Sequence, residues 1–344
     1  MDILTSRHAE VLTAVVEDFV RSGEPVGSRS LSRSARFNLS PATLRNVMAD
    51  LEEGGLLRQP HTSAGRIPTD QGFRYYVNHL SNEIGLAAAF KQQIIDRLQL
   101  SQGPLEEILH DGILALAQMT PYVGVVSLPN FRQMVVRHIR FVKLHSRQIL
   151  AVIVSASGAV RNVLFTAEAE FCQDQLNRFS NCLNSFLGNL TLAEVKRKLL
   201  QEMAGDKQSY DELFVQVLAL SKSFFAQNPE IAGDVMLDGK LNLLEHPEFA
   251  DIERMKMIFR TFEEKATIMR VLDSTLEGED LRVTIGEEHE CEEMRCCSLV
   301  TAGYGRDGRV LGRVGVIGPT RMNYPLIIPL VNFIADAMSR RLQE

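Results

Sequence analysis

Arg29, Arg33, Arg36 and Arg45 stand between Ser28 and Met48 with no acid among them. Guanidinium groups gathered at this density suit phosphate oxygens, which accept charge-assisted hydrogen bonds from them. Inside the same span, "LSPATLRNVMADLEEGG" (Leu39 to Gly55) sets Arg45 beside Asn46. An arginine can donate two N–H groups to a guanine edge and an asparagine can pair in the same bidentate way with adenine. Small neighbours let a helix backbone approach thymine methyls. Ala42, Thr43, Arg45, Asn46 and Ala49 are therefore the candidate base-reading residues.

Such a set works only on a helix that shows one face and buries the other. Ser40 followed by Pro41 is a start signal, because a serine oxygen can cap an orphan backbone N–H and proline suits the first helical position. Leu44, Val47, Met48 and Leu51 recur at i, i+3, i+4, i+7 and form a buried stripe opposite Ala42, Arg45, Asn46 and Ala49. Gly54-Gly55 ends the helix. Upstream, Val11, Leu12, Val15, Val16, Phe19 and Val20 make another stripe. A short helix over Arg29 to Ala35, capped by Ser28 with Leu31 inward, and a turn at Phe37-Asn38-Leu39 complete a helix-turn-helix order. Downstream, "LLRQPHTSAGRIPT" reads as a hairpin turning at Ser63-Ala64-Gly65. It would be a wing with Arg66 near its tip, where the narrow minor groove attracts cations. The residues expected on the DNA backbone or along the wing are Ser28, Arg29, Arg33, Ser40, Arg58, His61, Thr62 and Arg66.

"SPATLRNVMADLEEGGLL" joined to "QPHTSAGRIPTDQGFRYYV", with "RHAEVLTAVVEDFVRSGEPVGSRSL" before it, closely resembles the N-terminal signature of the HrcA family of bacterial heat-inducible transcription repressors. The strong resemblance covers roughly residues 4 to 80. It implies a repressor that binds, as a dimer, an inverted-repeat double-stranded DNA operator ahead of chaperone genes, and whose activity the GroEL chaperonin assists.

At 344 residues, 45% of them hydrophobic, the chain is long enough for two or three domains with sizeable cores. No apolar run reaches membrane-spanning length and the N-terminus lacks the apolar core of a signal peptide, so a cytoplasmic protein with no membrane contact is expected. The net charge of −6 argues against nucleic acid only if charge is spread evenly. Residues 1 to 80 balance nine arginines against nine acids, and the acids concentrate instead around Glu277 to Glu293, read as a solvated loop. Five cysteines in a chain without an export signal read as reduced thiols, and the spacing of Cys291, Cys296 and Cys297 beside His289 is not that of a metal site.

Beyond the wing, Thr69 to Leu80 and Phe90 to Leu100 read as helices. From Tyr122 the period changes to β-branched runs, "YVGVVSL", "VVRHIRFVKLH", "QILAVIVSASG" and "VRNVLFTA", and strands return as "RCCSLVTAGY" and "RVLGRVGVIG" before a final helix from Tyr324 to Leu342. Between them lie helical patterns over Phe171 to Leu187, Leu192 to Met203, Tyr210 to Ala226 and Pro247 to Leu276, with a hairpin signal at Asp238-Gly239. A sheet interrupted by a mostly helical block points to an insertion into an α/β domain. The family resemblance implies the same plan, a GAF-like domain carrying an inserted dimerisation domain. The expected fold is thus α+β and multidomain: a winged helix-turn-helix at 1–85, a helical linker at 86–105, the GAF-like domain at 106–191 and 273–344, and the insertion at 192–272.

"GYGRDG" (Gly303 to Gly308) matches GxGxxG, but a dinucleotide fingerprint must open a helix and here a strand follows. No Walker A, GxSxG or HExxH pattern occurs, no catalytic constellation emerges, and no cofactor or metal is expected. The rival to a chaperonin-assisted repressor is a ligand-gated regulator sensing a small molecule through the GAF-like domain.

Overall fold

The computed structural model describes residues 4–33, 37, 39–61, 64–80, 85–99, 105–129, 135–156, 160–188, 190–191, 194–195, 197, 220, 223–224, 235–273, 281–306 and 309–343. In chain order the elements are α1 (Ser6–Ser22), α2 (Ser28–Arg33), α3 (Pro41–Glu53), β1 (Leu57–Arg58), β2 (Ile67–Pro68), α4 (Asp70–Asn78), α5 (Ala88–Gln99), α6 (Leu105–Met119) and β3 (Val123–Ser127). There follow β4 (Val136–His145), β5 (Gln148–Ser155), β6 (Val160–Thr166), α7 (Gln173–Leu187) and β7 (Val235–Asp238). The chain closes with α8 (Ile252–Glu263), α9 (Lys265–Asp273), β8 (Leu281–Ile285), β9 (Cys297–Arg306), β10 (Arg309–Pro319) and α10 (Tyr324–Arg341). Two compact units divide it: Met1–Ser127 with Val235–Gly305 and Arg313–Glu344, and Leu128–Asp234 with Arg306–Gly312.

The first unit begins with helices whose ends obey local rules. Thr5 caps α1, and Gly23 at φ 72° stops it in a left-handed conformation that a side chain would strain. Further on, a five-stranded sheet runs in the order β7-β3-β10-β9-β8. Its second strand, β3, is buried at every position, as a strand covered on both faces must be. It pairs antiparallel with β7, from Gly124 opposite Asp238 to Ser127 opposite Val235, and with β10, from Val123 opposite Ile317 to Val126 opposite Val314. One core joins Val123, Val125, Leu299 and Ile317 of the sheet to Phe249, Ile258, Phe262, Ile268 and Leu272. Elsewhere α6 lies against β3 and α10. The two helices close at Gly112, where an added Cβ would stand 2.6 Å from the Met338 sulfur.

In the second unit β4, β5 and β6 form their own antiparallel sheet. Its β4 edge is closed by side chains of α7. Asn184 accepts from the Ile139 N–H at 2.8 Å and donates to the Ile139 carbonyl at 2.9 Å. Ser180 accepts from the Phe141 N–H at 3.0 Å, and Gln173 accepts from the Lys143 N–H at 2.8 Å while donating to the Phe141 carbonyl at 3.0 Å. The helix satisfies backbone groups that an open edge would offer to another chain.

This division differs from the expected one. The three β-branched runs after Ser127 do not continue the sheet of β3, and residues 235–273 belong with that sheet rather than with the insertion. The reason is that β-branched composition marks a strand without naming its partner, and short turns let β4, β5 and β6 pair with one another. Asp238-Gly239 is not a hairpin: Gly239, at φ 72°, leads from β7 into a 3-10 turn over Lys240–Glu245. The helical patterns at Leu192 to Met203 and Tyr210 to Ala226 fall largely outside the described residues.

Candidate nucleic-acid interface

In α3 the Ser40 hydroxyl accepts from the Thr43 N–H at 3.1 Å and lies 2.9 Å from the Thr43 hydroxyl. Capping fixes the first turn. Leu44, Val47, Met48 and Leu51 are buried against α1 and α2, whereas Ala42, Arg45 and Asn46 are exposed and Thr43 and Ala49 half-buried at the margin. Leu31 anchors α2 inward and leaves Arg29 and Arg33 exposed. Among the described residues, none of Arg29, Arg33, Arg45 and Arg58 is paired with an acid.

The hairpin is short. Leu57 pairs with Pro68 and Arg58 with Ile67, so Arg58 points outward at its base, and His61 is exposed in the turn, where its carbonyl accepts from the Ala64 N–H at 2.8 Å. Gln59, not singled out from sequence, donates to the Ala64 carbonyl at 3.0 Å and braces this turn. Thr62 and Arg36 lie outside the described residues.

Two expectations need correction. Arg66 is not at the tip: its backbone bridges Val26 with paired 2.8 Å hydrogen bonds, and its guanidinium meets the Glu52 carboxylate at 2.8 Å. Gly65 allows this, because a Cβ there would stand 2.4 Å from the Val26 carbonyl oxygen. A turn read from Ser-Ala-Gly fixes where the chain reverses but not which neighbouring strand it rests on. Ser28 is buried, on the same inward side of α2 as Leu31, while Arg29 and Ser30 between them are exposed.

The acidic stretch read as a solvated loop contains instead β8 and a bonded carboxylate. Glu288 accepts from Arg74 of α4 and, at 2.8 Å, from the Ile285 N–H. Burial by itself would raise its carboxyl, but the bonds from Arg74 and Ile285 outweigh that and hold it below the ordinary range. Neighbouring His289 is buried, and that burial lowers it to about 4. No sequence signal marked Arg74, because an arginine on a half-exposed helix looks the same whether it meets water or protein.

Beside this stretch lies an open cleft of about 1180 Å³ whose walls interleave cations such as Arg254, Arg260 and Arg282 with acids such as Glu253, Glu264 and Glu290. Small-molecule sites are lined mainly by apolar side chains, and this cleft is not. All five cysteines are free. Among the described residues no helix is long and apolar enough to cross a membrane.

Residues 106–328 match the family model of the HrcA protein C terminal domain. A heat-inducible transcription repressor HrcA from Syntrophobacter fumaroxidans is 40% identical over 345 residues, covering 100% of this chain and 99% of the relative. The repressor of the same name from Geobacter sulfurreducens is 38% identical, covering 100% and 99%. A crystal structure described as that of a hypothetical protein shares the fold with a TM-score of 0.64 at 21% identity, covering 99% of both chains. A helical module with unpaired exposed arginines, on a chain matched end to end by repressors, defines a transcription repressor rather than an enzyme. The chain belongs to the HrcA family of heat-inducible transcription repressors.

Proposed function

We propose that this repressor acts in the cytoplasm as a homodimer, binding an inverted-repeat operator ahead of chaperone genes through a winged helix-turn-helix made of α1 to α3 and the β1–β2 hairpin. The observation that carries the reading is the divided wheel of α3: four buried apolar residues behind, and Arg45 and Asn46 exposed in front. Arg45 and Asn46 read base edges, with Ala42, Thr43 and Ala49 bordering them. Ser40 holds the helix N-terminus toward a phosphate, Arg29 and Arg33 contact the backbone, and Arg58 and His61 follow the wing. Arg66, ion-paired with Glu52, supports the wing from its base.

One module buries too little surface for high specificity, and a two-fold protein matches an inverted repeat. The second unit, a small sheet with α7 along one edge, supplies the dimer contact, and the five-stranded sheet with its helices is the GAF-like domain. Chaperonin assistance follows from the family resemblance. It agrees with a topology in which β3 must find β7 and β10 across long stretches of chain, since such non-local pairing is slow and leaves apolar surface exposed meanwhile.

Footprinting on regions upstream of chaperone genes should protect both arms of an inverted repeat, and GroEL with ATP should raise the fraction of repressor able to bind. Protection of unrelated sequences alone would remove the operator reading. A metabolite that shifts operator affinity with chaperonin absent would favour the ligand-gated regulator.

A further inference from the structure

The strongest polar contacts of the helical module point away from its DNA-facing surface, toward the sheet of the same unit. Arg74 donates from Nε to Glu288 at 2.6 Å, from a terminal nitrogen to the other Glu288 oxygen, and from that nitrogen to the Val283 carbonyl at 2.6 Å. One turn earlier the Asp70 carboxylate accepts from the Glu287 N–H at 3.0 Å. Gly286, at φ 53°, makes room for it, because a Cβ there would stand 1.9 Å from an Asp70 oxygen. The end of α1 is held separately: the Arg321 guanidinium pairs with Glu248 and donates to the Val20 carbonyl at 3.3 Å.

We propose that Asp70 and Arg74 are positioning residues, which fix the direction in which α3 faces DNA and thereby the half-site separation the repressor accepts. The inference rests on the dimeric, operator-binding reading above.

Three close contacts connect the clamp to α3. The Thr69 hydroxyl, which caps α4, donates to the Gly55 carbonyl just beyond α3 at 2.6 Å. The Thr69 N–H bonds the Leu56 carbonyl at 3.1 Å. Gly72 lies so close that a Cβ would stand 2.2 Å from the Leu56 oxygen. Between α3 and Glu288 there is thus no side-chain hinge, only backbone contact, a capped helix and a two-pronged ion pair. With Arg74 and Glu288 side chains 29% and 37% exposed, the pair contributes little to stability. Its value is geometric, since a bidentate fork defines an orientation where a point charge does not. Attachment at α1 and α4 together prevents the module from pivoting about either.

The test uses the full chain, the duplex defined by the footprint, duplexes with the half-sites moved closer or apart by two base pairs, and a duplex with one half-site. Two base pairs turn one half-site by about 70° relative to the other. Wild type should prefer its own spacing. In Arg74→Met, binding to that spacing should fall about tenfold, binding to one half-site should stay within about twofold, and the preference for spacing should flatten. Glu288→Gln, which keeps the shape and the Ile285 bond, should behave in the same direction. Exchanging the charges, Arg74→Glu with Glu288→Arg, should restore part of the preference. Equal loss on one half-site and on two, or undiminished spacing preference in both variants, overturns the inference. Wild type that binds two half-sites no better than one overturns the dimeric reading beneath it.

Discussion

Arg45 and Arg74 sit on neighbouring helices of one module and live in opposite surroundings. Arg45 stands on the open face of α3, exposed, while Arg74 is held by a carboxylate and a backbone carbonyl. Arg66 resembles Arg74, bound to Glu52 at the foot of the hairpin. A guanidinium already bonded within the protein is committed to its architecture. One without a partner is available to a phosphate or a base, and in the free protein it contributes almost nothing to folding. The surface proposed to meet DNA is thus the part of the module that the fold does not use.

The largest test of this contrast lies behind Arg45. Leu44 is wholly buried on the reverse of α3, so Leu44→Ala should destabilise the first unit by about 2–5 kcal/mol, measured by urea unfolding followed by circular dichroism. A loss below about 0.5 kcal/mol, the range of ordinary surface changes, would mean that the stripe does not hold the helix.

On the side of Arg74, His289 is buried and neutral beside the bonded Glu288, with its own titration lowered to about 4. An unfolded chain takes up that proton near pH 6.5, before the folded one can. Stability should therefore decline as pH falls from about 6.5 to about 4, by up to about 3 kcal/mol, and His289→Gln should flatten the slope. A slope equally steep in the variant would assign it to other groups.

Arg45→Ala should leave the urea midpoint unchanged yet cost about 1–3 kcal/mol in operator binding, with specificity relaxed at one base pair. Equal affinities of wild type and variant for operator and for scrambled DNA would show that α3 does not read bases. Smaller still, Arg29→Ala should weaken every sequence alike and reduce the salt slope of binding by about 1. A sequence-selective effect there would move Arg29 into the base-reading group.

Much of the module was legible from sequence. Ser40-Pro41 and Gly54-Gly55 bound α3 as expected, its stripe is buried, and α4 begins at Asp70 behind the Thr69 cap. Arg66 and Ser28 were misplaced. The role of Glu288 was hidden because its partner Arg74 is more than two hundred residues away in the chain. The strands after Ser127 were identified as strands and assigned to the wrong sheet.

The sequence by itself determined where helices start and stop, which of their faces are apolar, and which stretches are extended. Those outcomes depend on capping, steric preference and side-chain period within a few residues. Only the tertiary structure decided that β3 pairs with β7 and β10 while β4 to β6 form their own sheet, and that Arg74 and Arg66 are paired with acids while Arg45 is not. Backbone hydrogen bonds are the same for any two strands, and an arginine has the same reach toward any acid. The choice among partners is made by which surfaces the whole chain can bury at once.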